Sequence, residues 1–289
     1  MIGWNMKIQL GCYECVMTMI VRLARQMSGD PVRQRELADE LLGIFAERRR
    51  EFSPPELAWE FYGIFRRETG VDDPFADEKR RSTELGLKLL DEMRSHVEAS
   101  ADPFQAALRL AVGGNIIDFG ATPDFDIADA KKRILEVLDQ PCDQVAVADL
   151  HRRMDEARNI VYLLDNCGEA VLDRLLIERF PGKITVAARG GAIFNDVTRE
   201  DVAASGITAR VIDSGVALPG VSLKCSDPAF IEALRRADLV VAKGQGNFES
   251  LEGEFDRPVY FLLRVKCAVI SRLLGAPEGS LQVIGRNLG

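Results

Sequence analysis

Six short apolar or β-branched runs follow one another after residue 158: Ile160–Leu164, Ile184–Ala188, Ala209–Ile212, Leu239–Ala242, Val259–Leu263 and Leu281–Ile284. Amphipathic stretches such as AVLDRLLIERF and DPAFIEALRRA lie between them. Parallel neighbours in a sheet need a long crossover, and a helix is the usual one, so this alternation predicts βαβ units. The expectation is an α/β fold whose mostly parallel sheet carries helices on both faces.

Residues 12–157 read differently, with helical periodicity and no convincing strand. SPPELAWEFYGIF offers Ser53 as N-cap, prolines in the first turn and Glu56 three residues on, a capping-box pattern. ADPFQAALRLAVGGN repeats it, with Asp102 as cap, Pro103 at the first helical position and Gly113-Gly114 as the stop. DIADAKKRILEVLDQ sets Ile134, Leu135 and Leu138 on one helical face. The chain thus divides into a mostly helical N-terminal domain, 1–157, packed on a Rossmann-like α/β domain, 158–289. No repeat or long linker separates them.

With 289 residues, 47% of them hydrophobic, the chain has ample material for a core. Its net charge of −8 argues against a nucleic-acid partner, because phosphate backbones are gripped by clustered lysine and arginine. No apolar run approaches the roughly 18 residues of a membrane span, and the start lacks the pattern of a signal peptide. The expected setting is the cytoplasm, with no membrane partner and the oligomeric state open. Six scattered cysteines do not make a disulfide scaffold; they read as core residues or metal ligands.

Three of the strand runs end in polar clusters, and the carboxyl ends of parallel strands form the crevice where ligands bind. The first delivers Asp165, Asn166 and Glu169; the second Arg189, Asn195 and Asp196; the third Lys243, Gly244, Gln245 and Asn247. Carboxylates and an amide oxygen are hard ligands for a divalent cation such as Mg²⁺ or Mn²⁺. A lysine beside glycines suits an anion, since glycine lets backbone N–H groups come close. Each cluster also has a plainer reading, as an Asx turn, a helix cap or a solvated lysine in a glycine-rich turn. Lys243, directly after a buried strand, is expected to face the crevice.

Other motifs narrow the field. There is no P-loop, dinucleotide fingerprint or G-x-S-x-G elbow, and His96 and His151 lie in helical sequence away from the clusters. DFDIA, Asp124–Ala128, follows GATP rather than a strand and reads as a helix start. Cys12 and Cys15 form a C-x-x-C with Cys267 as the most appealing distant partner, either as a second metal or structural cluster or as idle buried thiols. In GGNIIDFG, Asn115 and Asp118 either reach the substrate or serve as loop and cap residues.

Taken in order, CYEC, GNIIDFG, LLDNCGE, FNDVT, DLVVAKGQGNFE and YFLLRVKC resemble the motifs of the metal-dependent damage-control phosphatases with the ARMT-like fold, over nearly the whole chain. The cysteines resemble those of the prokaryotic branch. The resemblance implies Asp165, Asn166 and Asp196 as metal ligands, Lys243 as a phosphate contact, and Asn115 and Glu169 as polar site positions. Gly246 and Phe248 depart mildly from the family pattern. The implied activity is hydrolysis of small phosphorylated metabolites, sugar phosphates or related damaged products, with Mg²⁺, Mn²⁺, Co²⁺ or Ni²⁺. Asp165, Asp196 and Lys243 would be catalytic; Asn115, Glu169, Arg189, Lys243, Gly244 and Gln245 would meet the substrate. Two other readings stay open: a methyltransferase using S-adenosylmethionine, weakened by acids where a glycine-rich loop should follow the first strand, and a non-catalytic metal- or metabolite-binding protein.

Overall fold

The computed structural model describes residues 6–114 and 127–289. Helices come first: α1 (Tyr13–Met27), α2 (Pro31–Arg48), α3 (Pro54–Thr69), α4 (Ala76–Glu98), α5 (Pro103–Gly113), α6 (Ile127–Leu138) and α7 (Gln144–Glu156). Strands and helices then alternate: β1 (Ile160–Leu163), α8 (Cys167–Ile177), β2 (Ile184–Ala188), α9 (Arg199–Ser205), β3 (Arg210–Asp213), α10 (Pro228–Arg236), β4 (Leu239–Lys243), α11 (Gly244–Leu251), β5 (Val259–Arg264), α12 (Ala268–Leu274) and β6 (Leu281–Arg286).

The helix starts obey local chemistry. Glu56 Oε2 accepts from the Ser53 N–H at 2.9 Å, closing the capping box of α3, and Asp102 Oδ1 accepts from the Gln105 N–H at 2.9 Å to open α5. The stop of α3 is Gly70 at φ 67°, a left-handed position that suits glycine. Helix α6 begins at Ile127, next to the expected start; Asp124 itself, like Asn115 and Asp118, lies outside the described residues.

The sheet order is β3-β2-β1-β4-β5-β6, parallel except for β6, which runs against β5. From β1 the chain steps outward to β2 and β3, then crosses back so that β4 lies on the other side of β1. Strand order therefore reverses between β1 and β4, and the crevice beyond their carboxyl ends is the place such sheets bind ligands.

Period-two alternation divides the strand side chains between two apolar layers. Ile160, Tyr162, Val186, Val241 and Leu262 join one core with α4 to α8. Val161, Leu163, Val240, Ala242 and Phe261 face the other way onto α10, α11 and α12. The first core runs unbroken from the N-terminal helices into the sheet, while α1, α2 and α3 form a third cluster that reaches Ile193 in the loop after β2. No helix among the described residues is long and apolar enough to cross a membrane.

Candidate active site

The loops after β1 and β2 are zipped together by backbone. Cys167 N–H donates to Asn195 O at 3.0 Å, Val197 N–H to Asp165 O at 2.9 Å, and Arg189 N–H to Val197 O at 2.8 Å. Phe194, at φ 46°, takes a left-handed conformation uncommon for a bulky residue, one residue before Asn195 and Asp196. Such a conformation persists only where its surroundings fix it, and here Tyr62 and Phe75 hold the ring, with centroids 4.7 and 6.2 Å away.

The plainer readings fail at the three strand ends. Asn166 occupies the N-cap of α8, yet its side chain makes no cap bond. Its Nδ2 donates instead to Asp165 Oδ2 at 2.9 Å and, more loosely, to Glu169 Oε2 at 3.3 Å. With both amide hydrogens on carboxylates, Oδ1 must turn the other way, because a flipped amide would set oxygen against oxygen. Asp196 does not cap α9 either: Thr198 and Asp201 do that as a capping box. Lys243, at the N-cap position of α11, is no solvated lysine, because it is fully buried.

Asp165, Asn166 and Asp196 line a cavity of about 490 Å³ with Asn195, Gln245 and Gly246. Arg22 of α1, Phe75, Glu78 of α4, Phe194, Pro219 and Lys266 complete its wall. Behind the acids, Arg189 is 3% exposed and ties three strand ends together. Its Nε donates to Asp196 Oδ2 at 2.7 Å and its Nη1 to Asn247 Oδ1 and Gly220 O, both at 3.0 Å. Nη2 lies 3.6 Å from Asp165 Oδ1 and has no hydrogen bond among the described residues. Gly244 is obligatory: it sits at φ 79°, and a Cβ there would lie 1.9 Å from Asp165 Oδ2.

Several expected substrate contacts stand one layer back. Lys243 does not face the crevice, because its ammonium is fully buried and its three hydrogens are all used. They go to Ala111 O at 2.6 Å, Glu169 Oε1 at 2.5 Å and Asp173 Oδ1 at 2.7 Å. Glu169, Arg189 and Gly244 are buried too and do not line the cavity; of the expected contacts among the described residues, Gln245 does. Asn115 lies outside the described residues.

Electrostatically the site has surplus negative charge. Four buried carboxylates, Asp165, Glu169, Asp173 and Asp196, stand against the buried Arg189 and Lys243, with a third buried cation, Lys79, already paired to Asp201 at 2.5 Å. Burial, then the neighbouring Asp196 and Glu169, push the Asp165 carboxyl above the usual carboxylate range, while Lys266 and Arg189 pull it down. Burial raises Asp196 as well, against the pull of Arg189. Two such carboxylates and one amide oxygen on a common cavity fit a divalent cation that takes its other ligands from water and phosphate.

The structure brings the three candidate cysteines near one another, since Cys267 and Glu249 act electrostatically on both Cys12 and Cys15. No three His, Cys, Asp or Glu side chains among the described residues are grouped to hold a metal ion. Cys267 Sγ is 3.6 Å from the Gln245 amide nitrogen, which donates to it, and burial pushes the Cys12 and Cys15 thiols up.

Residues 8–281 match the damage-control phosphatase ARMT1-like domain. The chain belongs to this family. It is 33% identical to the damage-control phosphatase PH1575 of Pyrococcus horikoshii, over 96% of this chain and 97% of that one. It is 31% identical to a damage-control phosphatase of Archaeoglobus fulgidus, over 96% and 98%. The crystal structure of the P. horikoshii protein, described as a DUF89 family protein, superposes with a TM-score of 0.85 at 31% identity, covering 97% of this chain and 99% of that one. The mixed α/β fold with its mostly parallel sheet is thus that of the family.

Within this family fold, sequence reasoning missed Lys266, although it follows β5 as Lys243 ends β4, and the strand-end rule applied equally well to it. It also missed Asp173, which stands four residues after Glu169 on the same face of α8, and its partner Tyr162. Arg22, Phe75 and Glu78 carry no local signal, since only tertiary packing brings them to the cavity.

Proposed function

We propose that this protein is a metal-dependent phosphatase that hydrolyses small phosphorylated metabolites, sugar phosphates or related damaged products among them. The observation that carries the reading is the shared cavity of Asp165, Asn166 and Asp196 at the β1/β4 switch point, with the Asn166 amide hydrogens held by carboxylates. Two relatives named damage-control phosphatases support the reaction class. Six free thiols suit a reducing compartment, the cytoplasm.

Asp165, Asn166 and Asp196 would hold Mg²⁺, Mn²⁺, Co²⁺ or Ni²⁺, which when bound supplies Lewis-acid polarisation of a phosphoryl oxygen. Lys266 and Arg22, the cations on the cavity wall among the described residues, offset the charge of the phosphate. Gln245 and Asn195 offer amide groups to hydroxyls of the metabolite, and Phe75 and Phe194 give its carbon frame an apolar wall. The oxygen that attacks phosphorus comes from water or from the Asp165 carboxylate. A substrate whose phosphorus is made chiral with oxygen isotopes separates the two, because a single in-line attack by water inverts the phosphorus, whereas the aspartyl route, with two in-line displacements, retains it.

The deciding experiment is a screen of phosphorylated metabolites with each of the four metals, with chelator controls and the Asp196→Ala variant. Phosphate release confined to the metal-loaded wild type is expected. Release that persists in folded Asp196→Ala, or in excess chelator, overturns the proposal.

A further inference from the structure

A chain of side-chain hydrogen bonds runs from the middle of β1 to the cavity. Tyr162 donates its hydroxyl to Asp173 Oδ1 at 2.8 Å; Lys243 donates to the same oxygen at 2.7 Å and to Glu169 Oε1 at 2.5 Å. Glu169 Oε2 in turn accepts from Asn166 Nδ2. Asp173 and Lys243 are 0% exposed and Glu169 2%, and Asp173 Oδ2 is buried without a partner among the described residues. Packing does not require this arrangement. Apolar residues of similar volume would fill the space without the cost of removing three charges from water, and such replacements are often neutral or stabilising. The charges therefore need another reason to be there.

The far end of the chain supplies one. The Asn166 carboxamide can serve a cation only with Oδ1 toward the cavity, and what sets that orientation is the pair of carboxylates on Nδ2. Of these, Asp165 is a proposed ligand in its own right, whereas Glu169 is held from behind. The lysine fixes the Glu169 rotamer, and the lysine, having no freedom left, is aimed by Asp173 and the Ala111 carbonyl. We infer that Asp173, seconded by Tyr162, is a positioning residue that acts through Lys243 and Glu169 to preset the Asn166 carbonyl as a cation donor. The inference rests on the metal site proposed above. Ligand-orienting partners of this kind typically change metal affinity by about ten- to a hundredfold when removed.

The test is calorimetric titration of the metal-free full-length protein with Mn²⁺, with melting temperatures measured alongside. Asp173→Asn keeps the shape and leaves Lys243 balanced by Glu169; its expected effect is about tenfold weaker Mn²⁺ binding. Tyr162→Phe keeps every charge, is the safeguard should Asp173→Asn not fold, and should weaken binding in the same direction by about threefold. The distinguishing measurement repeats both in an Asn166→Asp background. A carboxylate presents oxygen in either orientation, so there the Asp173 and Tyr162 changes should alter affinity by less than about twofold. Unchanged affinity in the Asn166 background, or equal losses in both backgrounds, overturns the inference. Asp196→Ala keeps the two failures apart: if it binds Mn²⁺ as tightly as wild type, the metal-site reading itself is at fault.

Discussion

Arg189 donates its Nε to Asp196 Oδ2 at 2.7 Å with both side chains almost wholly buried, and the same guanidinium reaches Asp165 and Asn247. One planar cation thus sets the spacing of the acids at the ends of β1 and β2 and fastens them to α11. A lysine, with a point charge and no fork, cannot make these contacts together.

Arg189→Met should therefore leave Asp165 and Asp196 facing each other without a buried countercharge. Breaking a buried pair in this way costs about 3–5 kcal/mol. Urea unfolding of the metal-free variant should show a loss of that order, and saturating Mn²⁺ should restore part of it, because a cation bound only by the folded state stabilises it. Stability equal to wild type in the metal-free protein would contradict the countercharge role.

Gly244 and Gly275 form a natural control pair. Both are left-handed, at φ 79° and 63°, but only Gly244 has an obstacle, the Asp165 carboxylate. Alanine at 275 should cost about 1–2 kcal/mol, the strain of the left-handed backbone alone. Alanine at 244 adds a steric overlap and should cost about 1–3 kcal/mol more, with Mn²⁺ binding lost as Asp165 is displaced. Equal losses in the two variants, read from urea midpoints, would mean that Asp165 yields to the methyl group without consequence.

Lys266 and Lys243 should separate binding from folding. Lys266 is exposed on the cavity wall, so Lys266→Gln should leave the melting temperature unchanged and raise KM for a phosphorylated substrate about tenfold, the effect of about 1.4 kcal/mol. Lys243→Met strands Glu169 and Asp173 and should destabilise by about 3–5 kcal/mol. Steady-state kinetics and thermal melts of both variants decide the matter; a normal KM in Lys266→Gln removes it from the site.

How far this division could be read from the chain itself depended on where each side chain spends its bonds. Strands β1, β2, β4 and β5 were legible because their apolar runs are buried on both faces, and the convergence of Asp165, Asn166 and Asp196 followed from the rule for parallel strand ends. Whether Asp196 was ligand or cap was not legible, since both fit a short acid before a helix; the structure gives the cap of α9 to Thr198. Lys243 was placed correctly along the chain but not in depth. Its direction is set by Glu169 and Asp173 on one face of α8, a contact across elements that no local pattern encodes.

A last expectation concerns pH. Glu249 on α11 accepts from the Gln245 amide at 2.7 Å, and burial pushes its carboxyl from the ordinary 4.5 up to about 7, with Gln245 and Lys266 opposing. Between those values the folded protein keeps a proton that the unfolded chain has lost. Stability must therefore fall as pH rises from about 4.5 through about 7, and the loss is complete above that window. In Glu249→Gln the neutral amide keeps the size and the acceptor but cannot ionise, so this part of the pH dependence disappears. Urea unfolding at pH 5 and pH 8 should show the variant gaining on wild type at the higher pH by about 1–3 kcal/mol. If the two proteins instead keep a constant difference across that range, Glu249 titrates in the folded state as it does in water, and the solvent reaches it through the cavity beside Gln245.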